Sequence, residues 1–97
     1  MIIIMNIEKI VSSAIKFKII PMEEHFHILC GKRHADILEY MFNHHIDYDK
    51  NTAVQGFLTN EYRFVDRHEA AYIAFDAGQI NDRSIEILYS EDIWPEE

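Results

Sequence analysis

Apolar and polar residues alternate along two stretches in the first third of the chain. From Val11 to Ile19 the odd positions carry Val, Ser, Ile, Phe and Ile, and the even positions carry Ser, Ala and two Lys. A two-residue period of this kind is typical of a strand with one buried face. HFHILC, residues 25–30, alternates in the same way, and we expect its Phe, Ile and Cys to face the core. The two stretches predict an antiparallel pair joined by residues 20–24.

The period changes after Gly31. Between Arg33 and His44 apolar residues recur at spacings of three and four, which predicts a short amphipathic helix. The residues expected on its buried side are Ala35, Leu38, Met41 and Phe42, with Ile37 beside them. The polar residues 44–52 predict a loop. AVQGFLT (53–59) and YRFV (62–65) predict two strands around a turn at Asn60 and Glu61.

DRHE, residues 66–69, predicts the start of a second helix. Asp66 can cap the free backbone N–H groups, and the Glu69 side chain can return to the N–H of Asp66, as in a capping box. Small apolar residues follow up to Ala77, and Gly78 ends the helix. SIEILY (84–89) predicts a last strand. SEDIW (90–94) predicts a helical turn that packs Trp94 against the body of the protein.

These elements predict one α+β domain. We expect a small antiparallel sheet of four to five short strands with two helices packed on it. The domain spans residues 1–97, and residues 1–6 form an N-terminal extension.

Charge and composition narrow the classes of function. The chain of 97 residues has 17 Asp and Glu against 9 Lys and Arg, a net charge of −8. General nucleic-acid binding needs a broad basic surface, so we do not predict it. No apolar stretch is long enough to span a membrane, and a single cysteine suits a reducing compartment. The sequence therefore predicts a soluble, cytoplasmic protein.

GKRH, residues 31–34, is the strongest candidate for a binding site. It places Lys32, Arg33 and His34 at the mouth of the first predicted helix, where free N–H groups and the positive end of the dipole attract anions. The guanidinium group of Arg33 suits phosphate. Cations at this end of a helix need compensation by a nearby carboxylate or a bound anion. The alternative is a strand end with solvated cations.

Other side chains suit ligand contacts without chemistry. Gln55 and Gln79 carry amides next to flexible glycines and can bond to base edges or ribose, or can be ordinary loop residues. Tyr89 and Trp94 can stack on a base, or can belong to the core or an interface. His25 and His27 share a strand face, but surface histidines account for them better than a metal site does. We find no activated nucleophile, and we predict no catalytic residue, metal or cofactor.

The combined motifs resemble those of a family of small phage and prophage proteins. They are AIKF (14–17), GKRHADIL (31–38), QGFLTNEYRFVDRHEAAYIAFDAGQI (55–80) and LYSEDIW (88–94), so the resemblance covers roughly residues 8 to 94. The family looks like the viral sponge proteins that bind cyclic nucleotide signals and so blunt CBASS or Thoeris immunity. One departure is Tyr62, where the family usually carries Gly before RFVDR.

The resemblance implies a site and an assembly. Lys32, Arg33 and His34 would hold one phosphate of a cyclic dinucleotide, and Arg63 or Arg67 would hold the other. Gln55, Gln79 and an aromatic residue, Tyr89 or Trp94, would contact bases or ribose. A symmetric ligand favours a homodimer. The alternatives are an acidic inhibitor that mimics DNA and blocks a host defence enzyme, and a small enzyme that degrades the same nucleotides.

Overall fold

The computed structural model describes residues 7–19 and 24–95. A four-stranded antiparallel sheet in the order β2-β1-β3-β4 carries two main helices, which confirms the predicted α+β fold. Along the chain the elements are β1 (Ile10–Ile19), β2 (His27–Gly31), α1 (His34–Asn43), β3 (Tyr48–Thr59), β4 (Phe64–Asp66), α2 (Arg67–Asp76) and the single turn α3 (Ser90–Ile93). The predicted N-terminal extension and most of the connection between β1 and β2 lie outside the described residues.

A bulge changes which face the start of β1 buries. The register between β1 and β3 shifts between Ile10 and Ser12. An extra residue in one strand turns the side chains before it to the other face. Ile10 is therefore 2% exposed and Val11 44% exposed, so the prediction that Val11 faces the core is wrong. From Ser13 to Phe17 the odd positions are buried as predicted.

β2 buries the side opposite to the predicted one. Its pairing with β1 sets Phe17 against His27 and Ile15 against Leu29. The rings of Phe17 and His27 stack with centroids 5.9 Å apart. The side of β2 that pairs next to the buried side of β1 therefore faces the helices, even though the other side of β2 carries more apolar residues. The residues left exposed, against prediction, are Phe26, Ile28 and Cys30.

Helix α1 lies within one residue of its predicted bounds but presents a different side to the sheet. His34, Ile37 and Met41 are buried, and the last two pack with Ile15 and Phe17. These three residues also recur at helical spacing, so the sequence of α1 was compatible with two different buried sides. Packing against the sheet determines which of the two is buried. The predicted residues that are exposed instead are Ala35, Leu38 and Phe42.

β3 begins five residues earlier than predicted, at Tyr48, so the predicted loop is partly strand. Its first half pairs only with β1, because β4 pairs with residues 56–58 alone. A strand at the outer edge of a sheet tolerates polar residues. The polar residues at the start of β3 therefore form a strand, although they predicted a loop. Where the pairing is irregular, the hydroxyl of Thr52 accepts from the N–H of Lys18 at 3.0 Å.

The turn between β3 and β4 contains Asn60 and Glu61, as predicted, but it extends to Tyr62, which has a φ of 63°, so β4 begins at Phe64, two residues later than predicted. The N–H of Tyr62 donates to the carbonyl of Thr59, and the N–H of Thr59 donates to the carbonyl of Arg63, both at 3.0 Å. A positive φ is the conformation that glycine adopts without strain. Tyr62, with its Cβ, is therefore strained at this position.

Helix α2 has the predicted cap residues at both ends. The carboxylate of Asp66 accepts from the N–H of Glu69 at 2.8 Å. The Glu69 carboxylate accepts from Arg63 at 3.0 Å instead of completing the predicted capping box. At the other end Gly78 has a φ of 73°, and backbone hydrogen bonds to the last turn form a Schellman motif.

Residues 81–89 do not form the predicted last strand. The carboxylate of Asp82 accepts from the N–H and the hydroxyl of Ser84, which folds a tight local turn. The N–H of Leu88 then donates to the carbonyl of Arg67 at 3.1 Å, and Leu88 is fully buried. The segment thus packs against α2 rather than pairing with the sheet. The predicted turn of helix follows as α3.

The two helices cover one face of the sheet with two apolar clusters. Ile37 and Met41 of α1 pack on one end of β1. The alanines and Ile73 of α2 pack with Phe57 and Val65 on β3 and β4. The opposite face is less covered, since Phe26, Ile28 and Val54 are each more than 40% exposed. None of the helices in the described ranges is long and apolar enough to span a bilayer.

Candidate functional site

The first residues of the three helices lie beside one another. His34, which begins α1, contacts Ser90, which begins α3, with Nδ1 and Oγ 3.0 Å apart. Leu88, two residues before α3, donates to the carbonyl of Arg67, which begins α2. The amino-terminal ends of helices carry partial positive charge. Their meeting point therefore favours negative charge, and Arg33 and Arg67 add two cations to it.

His34 is bonded through both of its ring nitrogens. Its Nε2 lies 2.7 Å from the carbonyl oxygen of Gly56. A carbonyl only accepts, so Nε2 carries the proton and Nδ1 accepts from the hydroxyl of Ser90. Burial lowers the pKa of His34 below its ordinary value of 6.5, although the hydrogen bond to Gly56 opposes this effect. His34 is therefore a buried, neutral support of the site.

Two serines that the sequence analysis missed extend this contact. The Ser90 proton goes to His34, so Ser13 is the donor to its two neighbours. Its single proton is shared between Oγ of Ser90 at 2.8 Å and the carbonyl oxygen of Lys32 at 3.0 Å. Both hydroxyls are buried. The one signal in the sequence was Ser13, a polar residue on the apolar side of a strand. The network fixes the backbone of the GKRH segment, while the Lys32 side chain is exposed.

Arg33 is the N-cap residue of α1, and its guanidinium group reaches the end of the chain. Its Nη2 donates to the carbonyl of Trp94, and Nη1 lies 3.8 Å from the carboxylate of Glu91. Nη1 is nevertheless buried without a hydrogen-bond acceptor among the described residues. A compensating carboxylate was one of the two expectations for cations at this helix end, and Glu91 is that carboxylate. In the part of the chain that the structure describes, no side chain caps α1.

Arg67 lies between Gln55 and Tyr89. Its Nη2 donates to Oε1 of Gln55 at 2.6 Å, and its guanidinium carbon lies 4.9 Å from the centroid of the Tyr89 ring. Its Nε is buried and has no acceptor in the described part of the chain. The structure thus gathers Arg33, His34, Gln55, Arg67 and Tyr89 near the helix starts.

Trp94 packs on the body of the protein, as predicted. Its ring is half-buried against the apolar cluster under α2, and its carbonyl accepts from Arg33. The carboxylate of Asp92 accepts from the N–H of Tyr89 at 2.9 Å, and this hydrogen bond caps the start of α3, the helical turn that precedes Trp94. The indole therefore contributes to the fold, and the backbone of Trp94 positions Arg33.

Two predicted site residues lie apart from the helix starts and are bonded there. Arg63 donates to both carboxylate oxygens of Glu8, at 2.9 and 2.8 Å, and also to Glu69. These bonds lower the pKa of Glu8 from 4.5 to about 2 and raise the pKa of Arg63. Gln79 clamps the backbone of Ile10, with bonds of 2.8 Å to its N–H and its carbonyl.

Gly56 serves packing rather than the approach of a ligand. A Cβ at this position would lie 2.2 Å from the carbonyl oxygen of Val65 and 2.7 Å from the ring of Phe64. The space above Gly56 is therefore filled by its neighbours on β4. The carbonyl oxygen of Gly56 accepts from Nε2 of His34.

Two grooves lie away from the helix starts, and one of them, of about 460 Å³, is lined by the predicted residue Gln79 together with Ile80 and Asp82. The other groove, of about 510 Å³, runs between α2 and residues 83–86 and is lined by Tyr72, Phe75 and Arg83, among others. Within residues 7–19 and 24–95, no three or more His, Cys, Asp or Glu side chains are grouped closely enough to hold a metal ion.

Comparison with known proteins identifies a family. The family model described as phage T4 y16D protein matches residues 9–94, nearly the whole chain. No curated protein and no solved structure matches.

Proposed function

The chain belongs to the phage T4 y16D protein family, and we propose that it binds and sequesters a cyclic dinucleotide signal without cleaving it. In this role the phage protein would blunt a host defence system of the CBASS or Thoeris type. The observation that carries the proposal is a pair of unsatisfied donors. Arg33 Nη1 and Arg67 Nε are both buried without an acceptor among the described residues, and both belong to residues at helix starts.

Arg33 supplies the first phosphate contact in the proposal. The first N–H groups of α1 have no side-chain cap, so they remain available to an anion beside the guanidinium group. Glu91 is the competing anion, but its side chain is 64% exposed and 3.8 Å away. A phosphate can therefore take the place of Glu91 with little loss, since an exposed ion pair at this distance contributes little.

Arg67 and Tyr89 supply the second contact. The hydrogen bond to Gln55 and the Tyr89 ring hold the guanidinium group in place, which lowers the conformational cost of binding a phosphate. The Tyr89 ring is half exposed, and a base can stack on it. His34 supports these groups from below and does not contact the ligand. In the homodimer that a symmetric ligand favours, the two protomers would share one ligand or bind one ligand each.

The fate of the ligand distinguishes a sponge from an enzyme. The purified protein is incubated with cyclic di-AMP, cyclic di-GMP and cyclic GMP–AMP in separate reactions, denatured, and analysed by mass spectrometry. We expect the bound nucleotide to be recovered intact. The Ser90 hydroxyl, which lies next to His34, is 2% exposed and so is closed to substrate. Linear product that increases with protein concentration would favour the degrading enzyme instead.

A further inference from the structure

The face of the sheet away from the helices combines cations with aromatic rings. The strand register places Lys16 and Lys18 of β1 on this face, in the middle of the sheet. Phe26 lies beside β2 on one side of them, and Phe64 of β4 lies on the other side. We refer to the surface formed by Lys16, Lys18, Phe26, Ile28, Val54 and Phe64 as the open face.

Neither lysine of the open face has a carboxylate partner among residues 7–19 and 24–95. Lys16 Nζ and Lys18 Nζ lie 4.6 and 4.9 Å from the centroid of the Phe26 ring, and neither forms an ion pair with any described residue. Asp49, the cross-strand neighbour of Lys18, accepts from the N–H of Asn51. In a chain with 17 acidic residues, two cations at one ring without a carboxylate form a local positive centre.

The charge on this face opposes a second copy of the chain as the occupant. Two copies meeting face to face would bring four ammonium groups together in a buried interface, which is unfavourable without matching carboxylates. An occupant that carries an anionic group next to a flat ring fits both features. The anion would lie between the ammonium groups, and the ring would stack on Phe26, which is 46% exposed.

We propose that the open face is a second binding site and that its ligand is a nucleotide of mononucleotide size. The phosphate lies between Lys16 and Lys18, and the base stacks on Phe26 beside the edge of β2. The net charge of −8 opposes the approach of a long polyanion, so a small ligand is favoured over a nucleic-acid strand. This site lies on the opposite side of the sheet from the helix starts and does not depend on the function proposed for them.

The test is an NMR titration of the ¹⁵N-labelled protein with AMP, with adenosine and inorganic phosphate as separate probes. We expect AMP to shift the amide signals of β1 and β2 more than either part alone. The double variant Lys16→Ala, Lys18→Ala should weaken AMP binding about tenfold or more. Phe26→Leu keeps the apolar volume but removes the flat ring, and it should also weaken AMP binding about tenfold. Lys50→Ala, an exposed lysine of β3, is the matched control and should change the affinity less than twofold.

Three outcomes would overturn the proposal. The first is the absence of shifts on β1 and β2 at millimolar AMP. The second is an equal response to inorganic phosphate with no effect of Phe26→Leu, which would indicate an anion site only. The third is a dimer in sedimentation that Phe26→Leu dissociates, which would make a second copy the occupant. Arg33→Ala should leave these shifts unchanged. The proposal for the open face can therefore be refuted independently of the function proposed for the helix starts.

Discussion

Nδ1 of His34 and Oγ of Ser90 lie 3.0 Å apart, although 56 positions separate the two residues in the chain. This contact joins the start of α1 to the start of α3. It places Arg33 near the carbonyl of Trp94 and the carboxylate of Glu91. A buried polar network therefore aligns the cationic residues of the candidate site, and the first two predictions concern this network.

Two neighbouring serines of β1 provide a matched test of the network. Ser13→Ala should lower the free energy of unfolding by about 1–3 kcal/mol, because the Ser90 hydroxyl and the Lys32 carbonyl lose a buried partner. Ser12→Ala should leave it unchanged or raise it, because Oγ of Ser12 is buried without a partner among the described residues. Urea unfolding of both variants gives the comparison. Equal effects would contradict the assigned network.

The stability of the protein should fall in mild acid because of His34. The pKa of His34 in the folded state lies below 6.5, so the unfolded chain binds a proton first as the pH decreases. The contribution is therefore present above about pH 6.5 and is lost as the pH falls through the folded pKa. His34→Gln, whose amide can donate to Gly56 and accept from Ser90, should flatten the dependence between pH 7.5 and 5.5.

The matched control for this pH dependence is His68→Gln, since His68 is exposed on α2. The slope of the free energy of unfolding against pH should then remain that of the wild type. A His34→Gln variant with the wild-type slope would show that another group is responsible.

The ion pair between Glu8 and Arg63 should be visible in a carboxyl titration. The hydrogen bonds from Arg63 and Thr59 lower the pKa of Glu8 to about 2. The stability that Glu8 contributes is therefore present above pH 4.5 and is lost as the pH falls toward 2. NMR titration of the Glu8 side chain should give a midpoint near 2 in the wild type and a clearly higher one in Arg63→Gln. An unchanged midpoint in the variant would refute this assignment.

Tyr62 is a position where glycine should stabilise the fold. Its φ of 63° is unfavourable for a residue with a Cβ, and its side chain is 89% exposed. Tyr62→Gly should raise the free energy of unfolding by up to about 1 kcal/mol, the strain relieved being partly offset by the entropy of the unfolded chain. Tyr72→Gly, on the exposed side of α2, should lower it by about 0.5–1 kcal/mol. Thermal unfolding that gives the same sign for both would contradict this account.

Local signals predicted the ends of elements better than their orientation. The Asp66 cap, the Gly78 stop and the turn before Arg63 depend on a few adjacent residues, and all three were found in the sequence. Which side of β2 and α1 is buried depends on the register with β1, which no single segment encodes. Lys16 and Lys18, opposite Ile28 and Phe26, were the signal in the sequence that this side of β2 is exposed.

The candidate site was predictable only in part. GKRH at a helix mouth and the aromatic residue before SEDIW were visible in the sequence. Their meeting with Arg67 depends on residues 84–89, whose apolar pattern predicted a strand but which pack against α2 instead. The buried contacts of His34 were not predictable, because they require three distant segments to meet at Ser13, Gly56 and Ser90.

Calorimetric titration with a cyclic dinucleotide tests the proposed site at the helix starts most directly. The wild type, Arg33→Ala, Arg67→Ala and the control Lys50→Ala are compared, and urea unfolding verifies that each is folded. Each arginine variant should lose about 1.5–3 kcal/mol of binding free energy, the range for hydrogen bonds to charged groups, and Lys50→Ala should bind like the wild type. Equal affinities for all four proteins, or no binding of any cyclic dinucleotide to the wild type, would contradict the account.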